Sequence, residues 1–412
     1  MHNISTALKA MTRKELNKIV VLLGVLSALG PFSIDMYLPG FPDIAEDLGT
    51  TIPKVGYSLT SYFVGISVGQ LIYGPIVDRF GRRIPLIFGL SLYVVAAICC
   101  ALSPTINWLI GLRGLLAIGG CAGMVAGRAV VRDLFPPAEI AKVLSTLMLI
   151  MGVAPLIAPS IGGWMVTALG WRAIFVTLAA ISASMLIAVL FFLPESRGAD
   201  KSVRLDPASV TKKYFHVLKQ PAFIVFGMAG AFTLGSLFAY ISGSPFIYME
   251  KFNFTQTQYG LLFSLNSFGY IGGSQVNRIL LKRFDSLRIA EMASLTVAVL
   301  GFLMVLSAVT PGISGYVMLG FLFLFLFMSG LLGPNSTALA LEPFSENAGT
   351  ASALIGFTQM LFGALGSALV SALHNHTALP MTGVMAGCAL ASAGLILGQR
   401  VLLKRRTMAL QR

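Results

Sequence analysis

The sequence is organised around one short charged stretch between two long apolar runs, Gly74-Pro75-Ile76-Val77-Asp78-Arg79-Phe80-Gly81-Arg82-Arg83. Proline lacks a backbone N–H, so Gly74-Pro75 is expected to end the preceding apolar helix. Glycine adopts positive φ angles at little steric cost, so Gly81 permits a tight turn. The stretch therefore predicts a short charged turn that connects two membrane-spanning helices.

The composition around this stretch indicates an integral membrane protein. Of the 412 residues, 56% are hydrophobic and 11% are charged, whereas a soluble domain carries about 25% charged residues. The apolar runs are long enough for membrane helices and too long for the strands of an outer-membrane barrel. The net charge of +13 is explained by positively charged cytoplasmic loops rather than by nucleic-acid binding.

The apolar runs predict an all-α membrane protein with twelve transmembrane helices in two six-helix halves. The halves are 1–194 and 221–412, and a cytoplasmic linker at 195–220 joins them. Two halves with a central site between them are the expected arrangement for a secondary transporter. The predicted spans are 17–38, 53–75, 84–103, 107–131, 139–167, 172–193, 221–247, 256–279, 287–308, 313–337, 346–371 and 380–403.

The distribution of Lys and Arg predicts the orientation. If the N-terminus is cytoplasmic, only Lys54, Arg172 and Lys251 fall in outer segments, and Arg113 falls inside a span. Because Lys and Arg concentrate in cytoplasmic loops, both termini are predicted to be cytoplasmic. The sequence thus predicts a multi-pass protein of a bacterial inner membrane.

Two opposite charges lie within predicted spans. Asp35 is seventeen residues beyond Lys18, about 25 Å along a helix, and Arg113 is about 9 Å below the outer start of its span. An ionisable residue inside the membrane usually faces a cavity or a partner. We expect Asp35 to bind and release a proton and Arg113 to tune it. The alternatives are a purely structural ion pair and an Asp35 that lies among the lipid headgroups.

The charged stretch has a candidate partner in Asp133, which could pair with Arg79, Arg82 or Arg83. The pattern G-x-x-x-D-R-x-G-R-R resembles the signature loop of the major facilitator superfamily, which latches the two halves together in the outward-facing state. An ordinary positively charged loop is the alternative. The resemblance implies a conformational latch formed by Gly74, Asp78, Arg79, Gly81, Arg82, Arg83 and Asp133.

The fifth predicted span combines prolines with small residues. Prolines four residues apart remove backbone donors and bend a helix, and small residues allow close helix packing. The span resembles the antiporter motif of drug:proton exporters, although Ala158 stands where glycine is usual. That motif is typical of exporters, and a generic bent helix is the alternative. The residues of this predicted antiporter hinge are Gly152, Pro155, Pro159, Gly162 and Gly163.

Further motifs narrow the resemblance. The segment that begins at Leu112-Arg113 is similar to the third motif of the superfamily, although Leu116 stands where glutamine is usual. The segments 33–39, 128–133 and 170–172 together resemble the bicyclomycin-resistance type of multidrug efflux transporter. The superfamily resemblance covers nearly the whole chain, whereas these subgroup motifs lie in the first half.

Several polar or aromatic residues in mid-span are candidates for lining a substrate cavity, because aromatic and Met side chains suit varied ligands. The acidic residues at 43, 46 and 47 are expected in an outer loop. Neither the four cysteines nor His374 and His376 form a recognisable metal site. The candidate cavity residues are Met36, Tyr37, Tyr62, Gln70, Met124, Phe232, Ser236, Tyr240, Asn266, Tyr270, Asn335 and Gln359.

These observations predict proton-coupled export of small amphipathic compounds by alternating access, with a proton and a substrate bound in exclusive states. An exporter of one endogenous metabolite, such as an amino acid or siderophore, is the first alternative, and a proton-coupled importer is the second. An enzyme or sensor is disfavoured, since no nucleophile–base pair or phosphate-binding loop is recognisable. The predicted partners are protons, a small-molecule substrate and the lipid bilayer, with no nucleic acid and no cofactor, and the protein is predicted to be a monomer.

Overall fold

The protein is all-helical throughout the part of the chain that the structure describes. The computed structural model describes residues 12–199, 214–215, 217–310, 315–344 and 348–410. The chain divides into two compact units, Met1–Pro207 with Gln256–Leu261, and Ala208–Thr255 with Leu262–Arg412. Most of the predicted linker at 195–220 lies outside the described residues, so the predicted domain boundaries stay a prediction.

The first unit contains seven α-helices within the described residues, and a 3₁₀ turn at Leu38–Gly40 separates the first two. The helices are α1 (Arg13–Asp35), α2 (Phe41–Asp47), α3 (Ile52–Phe80), α4 (Arg83–Ala101), α5 (Ile106–Leu134), α6 (Pro137–Leu169) and α7 (Arg172–Phe192).

The second unit continues with six α-helices and two π-helical segments among the described residues, except that the first six residues of α9 group with the first unit. The elements are a π segment (Phe223–Gly227), α8 (Met228–Pro245), a π segment (Phe246–Lys251), α9 (Gln256–Leu280), α10 (Ser286–Val309), α11 (Gly315–Leu341), α12 (Ala348–Ala372) and α13 (Leu379–Leu410).

Eleven helical stretches in the described part of the chain are long and apolar enough to cross a membrane. The predicted span at 256–279 corresponds to α9, which has 25 residues but is not among the eleven. Its polar side chains, Asn266 and Asn277 among them, interrupt the apolar run. The structure therefore supports eleven spans, and the twelfth stays a prediction.

Helix α5 occupies the middle of the first unit, where it packs on both α3 and α4. Glycines make this close approach possible. A Cβ atom added at Gly65 would meet the carbonyl oxygen of Gly114, and one at Gly119 would meet the carbonyl oxygen of Gly89. Small residues let membrane helices approach to backbone contact, and here they place Arg113 of α5 against its neighbours.

The expectation that Gly74-Pro75 ends the second span is wrong. Helix α3 continues through Pro75 to Phe80 and ends at Gly81, whose φ is 84°. One proline removes a single backbone hydrogen bond, which a long membrane helix tolerates. Glycine is favoured at Gly81 because that φ lies in the left-handed region.

The expected outer loop at 43–47 is also wrong in detail, because these residues belong to the short helix α2. Pro42 stands in the first turn of this helix, where a backbone N–H would have no partner within the helix. A proline at that position starts a helix rather than stopping one.

Candidate functional site

Arg113 is the centre of a buried polar cluster in the first unit. Its side chain is 0% exposed, and Nη1 donates a hydrogen bond to the backbone oxygen of Ser33 at 2.9 Å. The guanidinium carbon lies 4.5 Å from the ring centroids of both Tyr37 and Tyr62. A desolvated cation–π contact contributes about 2 kcal/mol or more, so the two rings stabilise the buried charge.

One edge of the Arg113 guanidinium is free. Nε and Nη2 share this edge, and neither has a hydrogen-bond partner among the described residues. Two parallel N–H groups on one guanidinium edge are the geometry that binds a carboxylate in a bidentate manner. This edge has the hydrogen-bonding geometry for a carboxylate, and the bond to Ser33 uses a different nitrogen, Nη1.

Asp35 ends α1 two residues after Ser33 and is 4% exposed. Within the described part of the chain, its carboxyl group makes no hydrogen bond or ion pair, and it does not pair with Arg113. Asp35 therefore does not lie in an exposed position. Arg113 bonds the backbone of Ser33, two residues before Asp35, and neither charge meets the ionic partner expected of it.

Several residues that bear hydroxyl groups lie around Arg113. The Tyr37 hydroxyl is 2.8 Å from Ser58 Oγ, Ser33 Oγ is hydrogen-bonded to the Tyr93 hydroxyl, and the Tyr62 hydroxyl donates to the Gly30 oxygen at 3.4 Å. Sequence reasoning missed Ser58 and Tyr93. Tyr93 is sixty residues from Ser33 in the sequence, and only the folded structure reveals their proximity.

Arg82 is the centre of a second cluster, at the turn between α3 and α4. Its Nε donates to Asp133 Oδ2 at 2.7 Å, and its Nη1 donates to Asp78 Oδ1 at 3.0 Å. Burial alone would lower the pKa of Arg82, but the bonds and charges of Asp133 and Asp78 outweigh it and raise this pKa. Of the three arginines considered as partners of Asp133, Arg82 makes the ion pair.

Glu195 and Ser196 complete this second cluster, and sequence reasoning assigned them only to the linker. Glu195 Oε1 accepts the backbone N–H of Arg82 at 2.7 Å, and its Oε2 accepts the backbone N–H of Arg83 at 3.2 Å. Ser196 Oγ donates to Asp133 Oδ2 at 3.0 Å. The sequence signal for Glu195 was a carboxylate directly after a span, at the start of a segment with a net positive charge.

The other residues of the charged stretch have separate surroundings. A Cβ atom at Gly74 would meet nothing within 4 Å. Arg79 lies over the ring of Phe80, 5.7 Å from its centroid. The Arg83 guanidinium donates to the backbone oxygen of Leu190, which attaches the start of α4 to the end of α7.

Helix α6 runs through both Pro155 and Pro159 without a break. A Cβ atom added at Gly162 would overlap the backbone oxygen of Met36, whereas one at Gly152 would meet nothing within 4 Å. Gly163 is buried. Helix α6 therefore makes two close approaches. Gly162 lies against the backbone of Met36, the residue after Asp35, and a Cβ atom at Gly163 would lie 2.8 Å from the backbone oxygen of Gln256.

The candidate cavity residues fall into different environments. Tyr37 and Tyr62 contact Arg113. Met36, which precedes Tyr37, is buried, whereas Gln70 and Met124 are half-buried.

In the second unit, Asn335 Nδ2 donates to Asn277 Oδ1 at 2.6 Å, and Gln359 Nε2 donates to Thr337 Oγ1 at 3.3 Å. Ser236 donates to the backbone oxygen of Thr233. The half-buried rings are Phe232, 4.8 Å from Phe362 between centroids, and Tyr270.

The described residues contain no group of three or more His, Cys, Asp or Glu side chains that could hold a metal ion. The rings of His374 and His376 are 4.7 Å apart between centroids. Burial, and then the charge of His376, lowers the pKa of His374. All four cysteines are free thiols.

Comparisons with known proteins agree with the helical architecture and the motifs. The model of the Major Facilitator Superfamily matches residues 23–367. The chain is 34% identical over 382 residues to the "Uncharacterized MFS-type transporter YdgK" of Bacillus subtilis, covering 91% of this chain and 93% of that protein. It is 30% identical over 379 residues to the "Bicyclomycin resistance protein homolog" of Haemophilus influenzae, covering 90% and 94%.

Among solved structures, the chain is similar to a POT family transporter in complex with a thioalcohol-conjugated peptide. The TM-score is 0.77 at 15% sequence identity, and the match covers 94% of this chain and 96% of that one. At this identity the likeness concerns the fold alone.

Proposed function

This chain belongs to the Major Facilitator Superfamily and is therefore a multi-pass membrane transporter, for which we propose proton-coupled export of small amphipathic compounds, drugs among them. The relative named for bicyclomycin resistance supports export of toxic compounds. The protein then works as a monomer of twelve spans in a bacterial inner membrane, with both termini in the cytoplasm, by alternating access.

The observations that carry this proposal are a buried Asp35 without an ionic partner and an unused edge of Arg113, which bonds the Ser33 backbone two residues before Asp35. A buried carboxylate without a partner is strongly unfavourable, so Asp35 suits a group that holds a proton in one state and an ionic partner in another. The Nε–Nη2 edge of Arg113 has the geometry of such a partner. Proton binding and ion pairing then exclude one another, and substrate binding biases the choice.

The cluster around Arg82 and the prolines of α6 supply the conformational part of the proposal. Arg82 joins the α3–α4 turn to Asp133 at the end of α5, within the first unit, so residues of the proposed latch are held in a fixed arrangement. Helix α6 carries the glycine–proline pattern that resembles exporters, and this favours export over import. An exporter of one endogenous metabolite, such as an amino acid or siderophore, uses the same machinery and differs only in its ligand.

The test begins with a susceptibility screen of the expressed gene in a host that lacks its own efflux pumps. Compounds that the screen identifies are then assayed in proteoliposomes with an imposed pH gradient. We expect each compound to move opposite to the protons, and a protonophore to abolish the movement. If no tested compound shows counterflow, or if compounds move with the protons, export by antiport is wrong.

A further inference from the structure

The second unit holds a buried cluster of uncharged side chains that the Asp35–Arg113 site does not use. Asn266 of α9 donates from Nδ2 to the hydroxyl oxygen of Tyr240 at 3.1 Å and to that of Tyr248 at 3.3 Å. The three side chains are 1%, 2% and 3% exposed, respectively. The Asn266 amide thus forms hydrogen bonds with a tyrosine of α8 and a tyrosine of the adjoining π-helical segment.

The other end of this amide is free. Asn266 Oδ1 is buried and has no hydrogen-bond partner among the described residues. Turning the amide by 180° would leave its NH₂ group unpartnered instead, so Asn266 carries one unused polar end in either orientation. Buried polar groups are nearly always hydrogen-bonded. In a transporter, a buried polar atom without a partner indicates a ligand that binds and is released.

Aromatic rings and unusual backbone surround this free end. The ring of Tyr240 is stacked on Phe263, with centroids 5.4 Å apart and an interplanar angle of 17°. Tyr248 belongs to the π-helical segment Phe246–Lys251. Short π-helical segments are rare and occur frequently at functional sites. The flat rings and the irregular helix are a second observation, independent of the amide.

We propose that Tyr240, Tyr248, Phe263 and Asn266 form a substrate subsite for uncharged aromatic compounds that carry an amide N–H donor. The donor binds Asn266 Oδ1, and the aromatic part of the ligand packs against the Tyr240–Phe263 pair. An uncharged ligand is favoured because none of the four side chains can offset a buried charge. This inference rests on the proposed transport function and assigns a substrate class to it.

The test measures equilibrium binding to the purified full chain in lipid nanodiscs, without any pH gradient. The probe is chloramphenicol, an uncharged compound with an aromatic ring and a secondary amide N–H. Its derivative with an N-methylated amide removes the N–H donor. We expect the parent to bind chloramphenicol about tenfold more tightly than the derivative, because an unpaired buried carbonyl discriminates against a missing donor.

Asn266→Leu removes the carbonyl at similar volume. We expect it to weaken chloramphenicol binding about tenfold and to leave the affinity for the derivative within twofold. Asn266→Asp, which keeps an acceptor at the same place, should retain the preference for the N–H. Ser329→Ala is the matched control, because Ser329 is a buried hydroxyl of the same unit that bonds, among the described residues, to the Phe325 oxygen of its own helix.

Three outcomes overturn this subsite: no saturable binding of chloramphenicol by the parent, equal affinity of the parent for both probes, or equal loss of both probes in Asn266→Leu at an unchanged melting temperature. None of them bears on proton coupling, because no gradient is present. Conversely, a protein that shows this preference but drives no counterflow would keep the subsite and lose the antiport mechanism.

Discussion

Glu195 stabilises the α3–α4 turn although it lies elsewhere in the chain. Its two carboxylate oxygens accept the backbone N–H groups of Arg82 and Arg83. The backbone of Gly81 passes so close that an added Cβ would lie 2.8 Å from Glu195 Oε2. The carboxylate therefore fixes the α3–α4 turn, and the turn in turn directs the Arg82 guanidinium to Asp133.

Glu195→Ala leaves two backbone N–H groups of this turn without their acceptor. We expect it to lower the free energy of unfolding by about 1–3 kcal/mol, the cost of leaving such groups unpaired. Thermal unfolding of the purified protein in detergent measures the change. Glu250→Ala, at an exposed carboxylate, is the control. Equal melting temperatures for the two variants would contradict the role given to Glu195.

At this scale the sequence identifies charges better than it identifies their partners. Asp35 and Arg113 attract attention because ionisable side chains are rare within spans. Tyr93 and Ser58 carry no comparable signal, because hydroxyl-bearing residues are common in membrane helices. Their place in the cluster depends on which faces of α1, α3 and α4 pack on α5, and one sequence does not contain that information.

At the scale of the element, helix α6 combines two prolines with glycines of different roles. The helix remains continuous through Pro155 and Pro159. Gly162 lies against the backbone next to Asp35, whereas Gly152 has open space around it. The sequence predicts the helix and its small residues, but it does not tell which of its glycines lie against the backbone of another segment. The same limit explains α3, where Pro75 was expected to end a helix that continues to Phe80.

Gly162→Ala and Gly152→Ala form a matched pair within one helix. The added methyl group at Gly162 overlaps the Met36 carbonyl, and overpacking of this kind costs about 1–3 kcal/mol. We expect Gly162→Ala to lower the melting temperature by several degrees, and Gly152→Ala to remain within about one degree of the parent. Equal melting temperatures would show that α6 does not approach Met36 as described.

At the scale of the whole molecule, the apolar pattern of the chain predicts where most of the long helices lie. Eleven helical stretches in the described residues satisfy the length and hydropathy of a span, and α9 falls short because of its polar side chains. One of these, Asn266, belongs to the proposed subsite. The least apolar predicted span thus contributes to a proposed site. This is expected because a polar binding residue lowers the hydropathy of its helix.

The proposed latch predicts a kinetic effect on the transport cycle. In Asp78→Ala, Arg82 keeps its bond to Asp133 and loses the weaker one to Asp78, whose side chain is 57% exposed. We expect the turnover rate to fall several-fold, while the equilibrium affinity for an exported compound stays within twofold. Flux and binding assays on the same preparation measure both. A loss of binding in a folded variant would place Asp78 in ligand recognition rather than in the latch.

The central claim is that Asp35 carries the coupled proton, and Asp35→Asn in proteoliposomes tests it most directly. The exposed Glu46→Gln variant is the control. The amide cannot release a proton, so we expect gradient-driven counterflow to fall at least tenfold. Exchange of labelled for unlabelled compound, which needs no net proton movement, should persist. If Asp35→Asn accumulates compound against its gradient as the parent does, with the same pH dependence, Asp35 is not the proton carrier.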